Sequence, residues 1–208
     1  IECDRQIEFV GNLLDLSRIE SGAYKLRKTR VDLHELISSC VDVERHRAES
    51  LGLILKTNLT AELPKVIGDY DPLRRVIRGL IDNAIKYTPE GGYITVSARE
   101  FDDKMAISVS DTGKGIPETD LPHVFDKFYR VASEADDAPA GSPGTAASGV
   151  GLGLYLAQHI VSQLDGEISV KSKQGVGTTF NVTLPLCIDD VAGEKAEENT
   201  HVKALVGS

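Results

Sequence analysis

The chain has 208 residues, of which 41% are hydrophobic and 26% are charged, a composition typical of a globular protein with one or two domains. Its formal net charge of -9 argues against nonspecific binding of nucleic acid, because contacts with phosphates require an excess of lysine and arginine. No apolar run approaches the ~20 residues that span a bilayer, so we expect this fragment to make no contact with a membrane.

The first 22 residues are predicted to form one long helix. From Cys3 to Leu14, apolar residues recur at intervals of three and four, and Gly22 supplies a suitable C-cap. So broad an apolar face requires another helix to cover it. The helix is therefore either packed on its own domain or one half of a helical hairpin. The basic segment 23–30 follows as a linker.

Residues 31–188 are predicted to form a domain of mixed helices and strands. The predicted helices carry apolar stripes at helical spacing and cover 33–41, 71–85 and 150–164, with Asp32 and Asp71 as N-caps of the first two. The predicted strands are 53–59, 66–67, 93–101, 105–111, 167–173 and 178–186. These elements predict an α+β fold, a two-layer sandwich whose mixed sheet is covered on one face by helices.

Two further segments are poor in apolar residues. Residues 132–148 are rich in glycine, proline, alanine and serine and are predicted to be a long loop, and residues 189–208 are predicted to be a disordered tail. Three widely spaced cysteines form no metal or disulfide motif, and we interpret them as free thiols of a reducing cytoplasm.

Asn83 is the first candidate for chemistry. It lies inside a predicted helix, where asparagine has no advantage in propensity, and its carbonyl oxygen is the hard ligand that Mg²⁺ prefers. Lys86 follows three residues later on the same side of the helix and is a candidate contact for a phosphate. A helical asparagine taken alone is more often a structural hydrogen-bonding residue.

Asp111 ends a predicted strand and enters the turn Thr112-Gly113-Lys114-Gly115-Ile116. A carboxylate in this position can accept a hydrogen bond from an exocyclic amine, which would select adenine over guanine. The two glycines would let a flat base lie against the backbone. The glycine run Gly149-Val-Gly151-Leu-Gly153 precedes a predicted helix, whose amides can point at phosphate oxygens. It does not follow a strand as a dinucleotide-binding motif would.

The order of these motifs resembles a known family. Asn83, the Asp111 turn, the segment Phe125-Asp-Lys-Phe128-Tyr-Arg130, the glycine run and finally Gly177-Thr178 are similar to the five sequence boxes of the catalytic ATP-binding domain of sensor histidine kinases. This domain has the Bergerat fold that gyrase B and MutL share. The resemblance covers about residues 29–187. Residues 1–22 resemble the second helix of the dimerisation and phosphotransfer hairpin.

The resemblance implies that ATP and Mg²⁺ are the cofactors. It gives Asn83 the role of metal ligand and makes Lys86 and Arg130 the basic residues nearest the transferred phosphate. Asp111 would bind the adenine amino group, and Thr178 would support the adenine. The remaining residues expected to line the nucleotide are Tyr87, Gly113, Gly115, Ile116, Phe125, Phe128, Gly149, Gly151, Leu152 and Gly153.

Two departures from the family pattern bear on the expected rate of phosphotransfer. The helix of the family usually reads Asn-Leu-x-x-Asn, but here the first position is Gly79, which can neither ligate a metal nor act as a general base. Residues 132–149 also contain no lysine or arginine for the γ-phosphate. We therefore expect slow phosphotransfer, and Gly79 argues against an ATP hydrolase.

The implied acceptor is a histidine on the first hairpin helix, which these residues do not include. In the intact kinase we expect a homodimer through the full hairpin, and relay of the phosphoryl group to an aspartate of a response-regulator receiver domain. His34 imitates the acceptor motif only superficially, because the proline of the motif is missing. Two alternatives are a degenerate ATP-binding module that regulates a partner without phosphotransfer, and an ATP-driven conformational machine.

Overall fold

The computed structural model describes residues 2–60, 62–131 and 150–187, with the side chains of 2–5 and 7–9 left out of the description. The predicted loop at 132–148, Gly149 and the predicted tail lie outside these residues. The helices are α1 (Glu2–Glu20), α2 (Leu33–Ser50), α3 (Tyr70–Tyr87) and α4 (Gly153–Gln163), with a 3₁₀ turn at Leu121–His123. The strands are β1 (Thr29–Val31), β2 (Ile54–Leu59), β3 (Val66–Gly68), β4 (Tyr93–Phe101), β5 (Lys104–Asp111), β6 (Glu167–Lys173) and β7 (Gly177–Pro185).

The main sheet has five strands in the order β2-β4-β5-β7-β6. The pairs β4–β5, β5–β7 and β6–β7 are antiparallel, and β2 pairs with β4 in the parallel direction. The α+β fold with a mixed sheet, predicted from the sequence, is confirmed. The short strands β1 and β3 form a second, two-stranded antiparallel sheet that the sequence pattern did not indicate as a pair.

Alternation along the strands builds the core on one face of the sheet. In β5 the buried side chains are Met105, Ile107 and Val109, and the intervening residues are only half-buried. The helix α3 covers this face with the stripe predicted from its spacing, and these residues are Leu73, Val76, Ile77, Leu80, Ile81, Ala84 and Ile85. Burial of such a stripe is the main stabilising contribution of a helix to a sheet-based domain.

The helix boundaries differ from the prediction at α3. The helix begins at Tyr70, with Asp69 and not Asp71 at the N-cap position. Asp69 makes no side-chain cap hydrogen bond there, and its Oδ2 instead accepts from the backbone N of Arg27 at 2.7 Å. By contrast, the predicted cap of α2 is confirmed, because Asp32 Oδ1 accepts from Glu35 N at 3.0 Å.

The helix α1 contacts the rest of the chain through its last two turns. Leu16 packs in a small buried cluster with Leu152 and Leu156 at the start of α4. Asp15, which is 7% exposed, forms an ion pair with Arg75 of α3. Val10, Leu13 and Leu14 leave 52%, 38% and 55% of their surface exposed. The apolar residues from Val10 to Leu14 are therefore only partly covered by the part of the chain that the structure describes.

The segment between α1 and β1 is packed against the domain. Tyr24 and Leu26 contact the main core, and the Tyr24 ring meets His159 edge-on at 6.1 Å between centroids. Lys28 Nζ lies 2.8 Å from Asp165 Oδ2. In the described part of the chain, every helix is too short or too polar to cross a membrane.

Candidate nucleotide-binding site

Asp111 and Thr178 stand opposite each other at one end of the sheet. They are register partners on β5 and β7, and each continues a buried row of its strand. Since Met105, Ile107 and Val109 point toward the helices, the same alternation aims Asp111 toward that layer. The predicted pairing of a carboxylate with a hydroxyl thus arises from strand register, and both side chains lie between the sheet and the helices.

The Asp111 carboxylate is held by the backbone through one of its oxygens. Oδ1 accepts from Gly113 N at 2.8 Å and from Thr178 N at 3.3 Å. Oδ2 makes no hydrogen bond to any other residue that the structure describes. Burial raises the pKa of Asp111 above its ordinary value, while the two backbone hydrogen bonds act in the opposite direction. One oxygen is therefore fixed and the other is available to a ligand.

The two glycines of the Asp111 turn are required by the protein's own backbone. A Cβ on Gly113 would lie 2.5 Å from the Tyr87 carbonyl oxygen, and one on Gly115, where φ is +68°, would collide with the Lys173 carbonyl. A side chain at either position would displace the turn from its neighbours. Their fixed place against the end of α3 and the β6–β7 hairpin explains the glycines without reference to a bound base.

Ser172 is a member of this site that the sequence analysis missed. Its Oγ lies 2.9 Å from Thr178 Oγ1 and accepts from Ile116 N at 2.8 Å. It also donates to the Gly177 carbonyl at 2.9 Å. Ser172 is the register partner of Thr178 across β6–β7. It points to the same side of β6 as the buried Ile168, and a polar residue on this inward-facing side was the signal that could have identified it. The hydroxyl pair ties the Ile116 end of the turn to the hairpin.

The C-terminal end of α3 closes the same site. Asn83 and Lys86 are half-buried, and Tyr87 is 38% exposed. The Tyr87 carbonyl accepts from Lys114 N at 3.1 Å, which fastens the Asp111 turn to the helix. Asn83 lies one helical turn before Tyr87 and so shares its side of the helix. Helix and turn thus bring the predicted metal ligand and the predicted adenine ligand to one end of the sheet.

A second group of predicted residues lies where the segment 125–130 meets the start of α4. Phe128 N donates to the Gly151 carbonyl at 2.9 Å, and a Cβ on Gly151 would lie 2.6 Å from the Tyr129 carbonyl oxygen. The Phe125 ring packs edge-on against Phe180 at 6.4 Å between centroids. Phe180 is two residues beyond Thr178 on β7, so core packing links this group to the first.

Four predicted residues of this second group differ in what they can offer a ligand. Leu152 is 1% exposed and packs against Leu16, so its side chain belongs to the core and only its main chain can meet a nucleotide. Gly153 is the first residue of α4, and outside its own helix and chain neighbours no described residue lies within 4 Å of the place where a Cβ would stand. Phe128 is 56% exposed and Arg130 is also exposed.

His34 and the cysteines complete the accounting of predicted residues. His34 is an exposed residue in the first turn of α2, as expected of a surface histidine. Cys40 and Cys187 are buried free thiols, and burial raises the pKa of Cys40 to about 11. Such a thiol is protonated and unreactive at neutral pH. No cluster of histidine, cysteine and acidic residues suited to a metal occurs in the described ranges.

Comparison with known proteins agrees with this arrangement. Residues 68–188, more than half of the chain, match the family described as histidine kinase-, DNA gyrase B- and HSP90-like ATPase. The chain is 33% identical over 202 residues to the sensor-like histidine kinase SenX3 of Mycobacterium tuberculosis, covering 95% of this chain and 47% of that one. It is 35% identical over 190 residues to the sensor histidine kinase WalK of Bacillus subtilis, covering 88% and 29%.

Solved structures give the same result. Full-length ShkA, crystallised in complex with AMPPNP, matches with a TM-score of 0.74 and 25% identity, over 88% of this chain and 36% of that one. The mycobacterial sensor histidine kinase MprB matches with a TM-score of 0.64 and 27% identity, over 77% and 98%. The chain spans less than half of the length of the curated relatives named above. It belongs to the histidine kinase-, DNA gyrase B- and HSP90-like ATPase family and contains the catalytic ATP-binding domain of a sensor histidine kinase.

Proposed function

We propose that this chain binds Mg-ATP and supplies the catalytic part of a kinase that transfers the γ-phosphoryl group to a histidine. The observation that carries the proposal is the meeting of Asp111 and Thr178 with the end of α3 that bears Asn83 and Lys86. In this proposal Asp111 Oδ2 accepts from the exocyclic amine of adenine. Gly113, Gly115 and Ile116 line the base, and the Thr178 hydroxyl supports it.

The phosphates are assigned to the residues nearer the helix ends. Tyr87 would face the ribose, while Lys86 and Arg130 would neutralise phosphate oxygens. The backbone amides of 149–153, at the N-terminus of α4, would cover the triphosphate, since such amides favour anions. Phe125 and Phe128 would fix the base of that cover. Catalysis of phosphoryl transfer rests on positioning and charge stabilisation, which these groups provide.

The half-buried carboxamide of Asn83 fits Mg²⁺, because it presents a neutral hard oxygen beside the solvent-facing position 79. When bound, Mg²⁺ would draw charge from the phosphate oxygens. The role of Asn83 is to fix where that charge is placed relative to Lys86 and Asp111.

The acceptor and the partners follow from α1. We propose that residues 1–22 are the second helix of a dimerisation hairpin, 23–30 the linker, 31–188 the catalytic domain and 189–208 a tail. In the intact kinase, the exposed Val10, Leu13 and Leu14 would then pack against the first hairpin helix and a second copy of the protein. Relay to a response-regulator aspartate in the cytoplasm completes the proposal. ThkA, a structural relative at 21% identity, was solved in complex with the response regulator protein TrrA.

The test combines binding with chemistry. Titration of Mg-ATP into this chain is expected to give saturable binding, with GTP binding more weakly. A separate protein carrying the complete acceptor hairpin is then expected to gain acid-labile, base-stable phosphate from γ-labelled ATP in the presence of this chain. Tight ATP binding together with an unlabelled hairpin would select the regulatory module, and absence of ATP binding would contradict both proposals.

A nonenzymatic ATP-binding module is the second candidate, and Gly79 is the observation in its favour. Gly79 is exposed, and apart from its chain neighbours and the backbone of its own helix, no atom of the described residues lies within 4 Å of the place where its Cβ would stand. A side chain therefore fits at this position, and nothing in the packing requires glycine. The fold would thus accommodate a side-chain ligand for Mg²⁺ at position 79, and the chain lacks one only because residue 79 is glycine.

Replacing Gly79 with asparagine is accordingly expected to strengthen Mg-dependent ATP binding by about tenfold, because it adds a hard oxygen one turn before Asn83. The measurement is calorimetric titration of ATP with and without Mg²⁺. Gly79→Ala is the matched control, since it improves helix propensity by about 1 kcal/mol without adding a ligand. An equal gain from both variants, or a gain that persists without Mg²⁺, would contradict the assigned role of this position.

A further inference from the structure

Two lysine side chains converge on one tyrosine ring at the candidate site. Lys86 Nζ lies 5.2 Å and Lys114 Nζ 4.9 Å from the centroid of the Tyr87 ring. Both distances are within the range of cation–π contacts, and they place the two ammonium groups within about 10 Å of each other. The sequence analysis predicted a phosphate contact for Lys86, but it assigned no role to Lys114, which lies between Gly113 and Gly115.

The main chain of Lys114 is fixed on both sides. Its N donates to the Tyr87 carbonyl at 3.1 Å, and its carbonyl accepts from Gly175 N at 2.7 Å. At Gly113 and Gly115 the turn lies so close to the backbone of Tyr87 and Lys173 that an added Cβ would collide with their carbonyl oxygens. The lysine side chain therefore extends from a rigid point beside the end of α3.

Lys114 is exposed, and no carboxylate of the described residues lies within ion-pair distance of its ammonium group. The chain as a whole carries a net charge of -9. Holding this ammonium group on the same ring as Lys86 raises the local positive potential in a protein that is otherwise negative. An anion placed between the two ammonium groups would be attracted by both.

The second observation concerns what is missing elsewhere. Residues 132–149 contain no lysine or arginine, so the sequence between the segment 125–130 and the glycine run offers no positive charge for a triphosphate. A triphosphate bound through Asp111 and Asn83 would lie on the side of α3 that Asn83 shares with Tyr87, and the Lys114 ammonium group contacts the Tyr87 ring.

We propose that Lys114 acts beside Lys86 as a second cation for the polyphosphate of the bound nucleotide. The inference rests on the proposed function and deepens it, because it assigns a phosphate contact to the turn that otherwise selects the base. The competing explanation is that Lys114 only stacks on Tyr87 and keeps the ring in place. That role would affect every ligand that contains adenosine to the same degree.

The experiment compares ligands that differ only in their phosphates. Affinities for ATP, ADP and adenosine are measured by calorimetry at fixed Mg²⁺ for the wild type, Lys114→Gln and Lys114→Arg. Lys104→Gln is the control, because Lys104 is an exposed lysine at the opposite end of β5 from Asp111. Thermal melting checks that each variant is folded.

Lys114→Gln is expected to weaken ATP binding about 5- to 10-fold and ADP binding less, with adenosine unchanged, as for one partly solvated charge-assisted contact. Lys114→Arg is expected to retain most of the affinity, and the loss in Lys114→Gln should shrink at high ionic strength. Lys104→Gln should bind like the wild type.

Two results would overturn the inference. Equal weakening of ATP and adenosine would make Lys114 a support for Tyr87, and unchanged ATP affinity would leave it no role in binding. Both presuppose a wild type that binds ATP. If the wild type binds none of the three ligands, the proposed function itself fails, and the inference fails with it.

Discussion

Replacing Asp111 with asparagine is expected to weaken ATP binding about 100-fold or more while leaving the chain folded. Asparagine keeps an acceptor oxygen for the amides of Gly113 and Thr178. Its amide nitrogen then stands where the free carboxylate oxygen was, so the asparagine NH2 donor would face the NH2 donor of adenine with no acceptor between them. Sites built to pair a buried polar group discriminate strongly against ligands that leave it unmatched, typically by about 10²- to 10⁵-fold.

The same substitution is expected to preserve or raise the stability of the unliganded protein. Burial is the largest influence on Asp111 and raises its pKa, so the ionised carboxylate is less favourable in the folded chain than in the unfolded one. The sign follows from linkage: this unfavourable contribution is absent below the unfolded pKa and is fully present above the raised folded pKa. The wild type should therefore gain less stability than Asp111→Asn when the pH rises from about 3 to 7.

Urea unfolding at several pH values and ATP titration at pH 7 check the two halves of this prediction. Asp103→Asn is the matched control, since Asp103 is exposed in the turn before β5, at the other end of the strand from Asp111. A variant that loses ATP binding only because it unfolds would contradict the stability half. Retention of ATP affinity within a few-fold would remove Asp111 from the nucleotide site.

The parts of the fold that depend on local periodicity were predictable from the sequence. The stripe of α3 from Leu73 to Ile85 and the alternation of β5 specify which face is buried, whatever the neighbours are. The start of α3 was misplaced because Asp69 and Asp71 are both acceptable near a helix N-terminus. A tertiary hydrogen bond from Arg27 accounts for the position of Asp69, and no local pattern contains it.

In the candidate site, too, some residues were predictable from the local sequence and others depend on tertiary contacts. Asn83 was identifiable because asparagine has no propensity advantage inside a helix, and Asp111 because it ends a strand and enters a turn with two glycines. Ser172 and Lys114 could not be identified in this way. The position of Ser172 depends on the register between β6 and β7, and that of Lys114 on the hydrogen bond between the turn and the Tyr87 carbonyl. Leu152 is a different case: it lies inside a recognised motif, but its side chain packs against Leu16 of α1, so the prediction that it lines the nucleotide now concerns its main chain alone.

Electrostatic pairing was the least accessible to sequence reasoning. Glu44, which is 5% exposed, lies between Arg47 at 3.3 Å and Arg78 at 3.0 Å, on two helices that are separated by two strands along the chain. The sequence shows these residues as ordinary charges on helix faces. Glu44 and Arg47 are three residues apart on α2, but the pairing of Glu44 with Arg78 depends on how α2 and α3 cross, which periodicity does not encode.

Asn83→Ala is expected to reduce phosphotransfer to a separately supplied hairpin by about 100-fold, because it removes the one side-chain oxygen assigned to Mg²⁺. ATP affinity in the absence of Mg²⁺ should be unchanged. Alanine is the better helix former, so α3 should be at least as stable in the variant. The loss then belongs to the missing oxygen rather than to the fold, and thermal melting checks this.

The metal dependence separates the assigned role from others. Asn83→Asp keeps a hard oxygen and should recover part of the activity at raised Mg²⁺, whereas Asn83→Ala should not. Asn58→Ala, an exposed asparagine on the edge strand β2, is the control and should behave like the wild type. If Asn83→Ala weakens ATP binding equally with and without Mg²⁺, Asn83 contacts the nucleotide directly. The single neutral ligand beside Gly79 would then not be the reason for a slow kinase.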